Sequence, residues 1–177
     1  CLNHETAQGF LPTSGWGYKW VGERDAGYGR DQPGGWAYNI LPYLEYAVLH
    51  DGALGRRGIR PLNDLDPDND PDVDEVTRGT IALVTTPVPE FNCPSKRPLV
   101  LHPLDPDPLY QRHILANNAP TCTAAADCRV MRGDYRINAG NSNATDTPGG
   151  PLMFDASWSG GLRRSQNGVS YQQSTVR

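Results

Sequence analysis

The chain has 177 residues, 16 basic and 20 acidic side chains, and a formal charge of −4. Its 19 Gly and 16 Pro fill about a fifth of the positions, which excludes a helical bundle or coiled coil because both residues interrupt helices. Apolar residues make up 37%, too many for a disordered chain, and no run nears the roughly eighteen apolar residues that span a membrane. The length suits a single domain over 1–177, loop-rich and mostly β or α+β.

Residues 2–9 read as the end of a helix, stopped by Gly9 and then Pro12. The segment begins without an N-cap, as a helix cut from a longer one would. From Gly15 to Gly35, glycines interleave with Trp16, Tyr18, Trp20 and Tyr28. That pattern predicts an ordered loop whose aromatics pack on the domain while Gly supplies turns with positive φ. The alternative use of Trp16, Tyr18, Trp20 and Trp36 is a stacking platform for glycans.

Residues 36–52 carry apolar Trp36, Ile40, Leu41, Leu44, Val48 and Leu49 at steps of three and four. This predicts an amphipathic helix, kinked or restarted at Pro42 and ended by Gly52. Ile81, Leu83 and Val84 fit a short helix or a strand. Val88 to Phe91 reads as extended, closed by Cys93-Pro94-Ser95. Residues 98–120 hold five prolines and are expected to be irregular. Tyr135 and Ile137 alternate in a strand that Gly140 ends, a long Asn/Ser/Thr/Gly loop follows, and 168–177 read as a final strand that stops without punctuation.

The charge is unevenly placed. Asp64 to Glu75 reads DLDPDNDPDVDE, and without its seven acidic groups the formal −4 becomes +3. Asp64, Asp66, Asp68, Asp70, Asp72 and Glu75 occupy positions 1, 3, 5, 7, 9 and 12 of a twelve-residue frame. Alternating carboxylates curl around a hard cation, and an acidic group at position 12 closes the shell, so the spacing is that of a Ca2+ loop. Position 6 is Asn69 in place of Gly, Pro67 and Pro71 stiffen the frame, and no clear helix flanks it. The plainer reading is a solvated acidic loop extended by its own repulsion.

Cys122 and Cys128 bracket a short segment that a disulfide would close in an oxidising compartment; in a reducing one they are two inert thiols. The pairing of Cys1 and Cys93 is open. The four histidines, His4, His50, His102 and His113, have no zinc-ligand spacing with the cysteines, and His50 and His113 are expected to be structural or surface residues. The basic residues are scattered, so no nucleic-acid partner is expected. No nucleophile–base pairing or phosphate-binding loop is present, which predicts a non-enzymatic protein.

Four blocks, GWGYKWVGERDAGYGRDQPGGWAYNILPYLE, PVPEFNCPSKRP, DYRINAGN and NGVSYQQSTVR, occur in this order and at these distances. Together they resemble the planctomycete type IV pilin-like proteins, a family of unknown function with a prepilin-type cleavage and methylation signal. The resemblance implies an α+β, pilin-like fold, with the end of an N-terminal helix packed on an antiparallel sheet. It implies export to the cell surface or exterior by a membrane helix preceding Cys1, and partners that are other pilin-like subunits joined through that helix. Members continue beyond the last strand, so the chain reads as truncated at both ends. The resemblance carries no catalytic activity.

Overall fold

The computed structural model describes residues 1–52, 79–104, 129–138, 150–151, 170, 174 and 176. Within them the arrangement is α+β: short helices, joined by ordered loops, and one two-stranded antiparallel sheet.

Helix α1 spans Leu2–Gln8. Gly9 ends it in the left-handed conformation, φ 78°, with its N–H on Glu5 O at 2.7 Å, a cap that glycine adopts without steric cost. His4 is the one buried residue of the helix.

The expected break at Pro42 is present. Helix α2, Trp36–Ile40, gives way to a 3-10 turn at Leu41–Leu44, and helix α3 follows at Ala47–Gly52. Proline has no N–H to continue the ladder, and the Leu41 N–H closes a tighter turn onto Tyr38 O. Glu45 then takes φ 69°, which turns the chain before α3 begins. One expected core position changes as a result: Val48 is 88% exposed.

The core gathers Tyr38, Ile40, Leu41, Val88 and Phe91, with Trp36, Leu44, Leu49, Leu83 and Met131 packed around them. Trp36 meets Phe91 edge-on at 5.7 Å between ring centroids. Residues 79–85 are helical and form α4, which decides between the two readings of Ile81 to Val84. Val88 to Phe91 is not extended throughout: Pro89–Phe91 is a 3-10 turn, because Pro89 presets the turn φ at its first positions.

Strands β1, His102–Pro103, and β2, Arg129–Val130, pair antiparallel with His102 opposite Val130. The strand expected around Tyr135 and Ile137 does not form. Residues 131–138 lie outside the ladder, and Tyr135 is 52% exposed. Their backbone is held elsewhere, with Met131 N–H on Val84 O and Asp134 N–H on Phe91 O, both at 2.8 Å. The final strand falls mostly outside the described residues, and its described residues 170, 174 and 176 carry no strand geometry. They close on the early chain: Leu11 N–H donates to Val176 O at 2.7 Å, and the Ser14 and Ser170 hydroxyls meet at 2.9 Å. Among the described residues no helix is long and apolar enough to cross a membrane.

Candidate functional site

The glycine- and aromatic-rich loop is built around one amide. Gln32 is fully buried, and its Oε1 accepts the N–H groups of Glu23 and Gly34 at 3.0 and 2.9 Å. Its Nε2 donates to the carbonyls of Glu23 and Gly27 at 2.7 and 2.5 Å. A side chain with two donors and two acceptor lone pairs thus satisfies four backbone groups inside the loop. Gly22 and Gly34 let the loop close onto α2. A Cβ on Gly22 would stand 2.1 Å from the Tyr38 ring, and one on Gly34 would stand 2.5 Å from Gly22 Cα.

This packing places the four candidate glycan-stacking residues. Trp16 and Trp20 are 1% and 5% exposed and touch edge-on at 5.0 Å. Their indole N–H groups donate to Arg30 O at 3.0 Å and Pro151 O at 2.9 Å. Trp36 is half-buried against the core, while Tyr18 is 75% exposed. The four therefore do not share an open face.

A second cluster, dispersed in the sequence, is the most chemically loaded place in the described structure. His4 from α1 is enclosed edge-on by Phe10, Tyr28 and Tyr43, at 5.6, 5.5 and 5.7 Å. Tyr28 in turn stacks on His50 of α3 at 5.4 Å, and Tyr38 of α2 stacks on the same imidazole at 4.4 Å. The phenol of Tyr38 donates to His50 O at 3.0 Å, and Gln8 Nε2 donates to the Tyr43 hydroxyl at 3.3 Å.

Hydrogen bonding orients both imidazoles. His4 Nδ1 lies 3.0 Å from Phe10 O, and His50 Nδ1 lies 3.0 Å from Asp51 Oδ1. Since both oxygens accept, each Nδ1 carries hydrogen, and in the neutral His4 ring Nε2 presents a bare lone pair. Both Nε2 atoms are buried without a hydrogen-bond partner. Burial holds the His4 imidazole below its ordinary titration range, against the opposing effect of the Phe10 carbonyl. Burial also pushes the Tyr28 and Tyr38 phenols up, with neighbouring acidic groups adding to the shift.

A third assembly, built on charge, joins two of the sequence blocks. The Asp134 side chain is 2% exposed, and its Oδ2 accepts from Cys93 N–H at 3.0 Å and Arg97 Nε at 3.3 Å. Its Oδ1 stands 3.0 Å from both Lys96 Nζ and Arg97 Nη2, contacts of charge without hydrogen-bond alignment. Arg97 Nη2 also donates to Arg132 O at 2.6 Å. The backbone N–H bond, with the two cations, holds the Asp134 carboxyl below the usual carboxylate range. Beside this assembly lies a groove of about 270 Å³, lined by Pro89, Asn92, Pro94, Arg97, Pro98 and Leu99.

Asp64, Asp66, Asp68, Asp70, Asp72 and Glu75 lie outside the described residues, as do Cys122 and Cys128. Among the described residues no group of three or more His, Cys, Asp or Glu side chains is placed to hold a metal. Cys1 and Cys93 are free thiols, exposed and half-buried respectively. The His4–Tyr28–His50 arrangement is absent from the sequence reading because its members come from three separate segments. The one local hint is His4 itself, the sole aromatic ring in a short polar helix.

The family described as "Protein of unknown function (DUF1559)" matches residues 1–177. The chain belongs to that family. No curated protein and no solved structure matches it.

Proposed function

We propose that this chain is the globular part of a non-enzymatic, pilin- or pseudopilin-like structural subunit of a cell-surface or secretion apparatus. The carrying observation is the family match over 1–177, a family that is prepilin-like. The docking of α1 adds support. It is a short helix that enters the domain with one buried side chain and leaves Leu2 75% exposed, an arrangement suited to a helix that continues away from the body. In this reading a membrane helix ahead of Cys1 exports the protein and joins it to other pilin-like subunits. The acidic loop between Asp64 and Glu75 binds Ca2+ and is stabilised by it, a part of the reading that rests on the spacing of its carboxylates alone.

The glycan-capture alternative has less behind it, since Trp16 and Trp20 are committed to internal packing and hydrogen bonds. The test is to express the gene with its natural sequence upstream of Cys1 alongside a prepilin peptidase. Cleavage and N-methylation are expected ahead of α1. A precursor left uncut by an active peptidase overturns the subunit reading.

A further inference from the structure

His4 ties α1 to the body by a contact that favours the neutral ring. It is the only buried side chain of the helix, fully enclosed by Phe10, Tyr28 and Tyr43. Nδ1–H is already committed to Phe10 O, and Nε2 faces no acceptor. A proton added to Nε2 would create a buried, charged donor with nothing to receive it, a costly state in an apolar enclosure. The titratable groups around the ring are Glu5 on its own helix and the Tyr28 and Tyr43 phenols on the facing loop and turn. His50 stacks on Tyr28 at 5.4 Å and does not ring the His4 imidazole. None of the three residues ringing the imidazole offers a carboxylate to compensate the charge.

We propose that His4 is an acid-sensitive latch: its protonation releases α1 from the Tyr28–Tyr43 face while the core around Phe91 stays folded. The direction follows from linkage. A histidine that is harder to protonate in the docked state stabilises docking fully above its unperturbed value of about 6.5, and that contribution declines as pH falls below it. The latch does not depend on what the subunit assembles with.

Hydrogen exchange of the 177-residue chain, corrected for intrinsic pH effects, tests the proposal at pH 7.5 and 5.0. Exchange in residues 2–9 is expected to rise about tenfold at the lower pH, while residues 89–97 stay protected. His4→Phe keeps an aromatic ring in the enclosure without a titrating nitrogen and should abolish the response. His4→Gln should abolish it too, even where docking is looser. No acid response in the wild type, or the same response in both variants, overturns the latch. An NMR titration of the wild type gives a reading independent of the variants. The His4 ring should protonate in step with loss of its ring-current shifts from Tyr28 and Tyr43, and protonation with those shifts intact also overturns it.

Discussion

Gln32 grips the backbone of Glu23 at both ends of its amide: Glu23 N–H donates to Oε1 at 3.0 Å, and Nε2 donates to Glu23 O at 2.7 Å. This two-point contact reproduces the pairing of a β-ladder with a side chain in place of a strand. It explains how a loop of this length stays ordered between α1 and α2. Replacing Gln32 by Leu keeps the volume and strands up to four backbone groups in a dry interior. We expect a loss of about 3 kcal/mol in urea unfolding; a loss below about 1 kcal/mol would mean that water reaches those groups.

The glycines of the same loop separate steric from conformational demands. Gly22→Ala drives a methyl into the Tyr38 ring, whose carbons stand 2.1–2.3 Å from the added Cβ. Overpacking of that kind costs about 3 kcal/mol. Gly27→Ala meets no atom within 4 Å but must hold φ 66° with ψ −150°, a conformation nearly exclusive to glycine that costs about 2 kcal/mol. Thermal melts of the two variants should rank in that order, and equal losses would refute the assigned close approach.

Asp134 sets an acid limit on a different part of the structure. Its carboxyl is held low by the Cys93 N–H, Lys96 and Arg97, so its contribution is complete above the ordinary carboxylate pKa. It declines as pH falls through the lower folded value. Asp134→Asn should lower the melting temperature at pH 7 and flatten its dependence on pH below 3.8. A variant whose melting temperature falls in parallel with the wild type would place the acid response on other groups.

Several of these elements were legible in the sequence because their causes are local. Gly9 ends α1 and Pro42 breaks the helical segment through backbone chemistry that one residue dictates. One helical phase carried across 36–52 puts Val48 on the buried face, but the left-handed turn at Glu45 resets that phase before α3. The alternation of Tyr135 and Ile137 suggested a strand, whereas the Asp134 carboxylate draws this backbone to the Cys93 turn. The imidazole–phenol cluster is written in no single segment. It exists only once α1, the Tyr28 loop and α3 meet.

Buried indoles make a spectroscopic prediction. Trp16→Phe and Trp20→Phe difference spectra should show blue-shifted emission poorly quenched by iodide, as expected of side chains 1% and 5% exposed. A panel of glycans should leave both signals unchanged. Quenching that either substitution removes would restore the capture reading.

Calcium provides a separate test of the acidic loop. Millimolar Ca2+ should raise the melting temperature relative to a chelator, by about 2.7 kcal/mol of stabilisation at a hundredfold excess over Kd. Asp68→Asn with Asp70→Asn should remove that difference. Identical melts with and without the ion would leave Asp64 to Glu75 as solvated charge.

The pairing of Leu11 with Val176 and of Ser14 with Ser170 has a consequence for biosynthesis. A chain made or exported from its N-terminus displays the region after α1 early, yet that region meets partners more than 150 residues later in the sequence. Trp20 likewise waits for Pro151. Until then its indole and the Leu11 amide are without these native partners, and contacts this distant in sequence are slow to form. The interval between the emergence of these two segments is therefore when a chaperone would have most to protect.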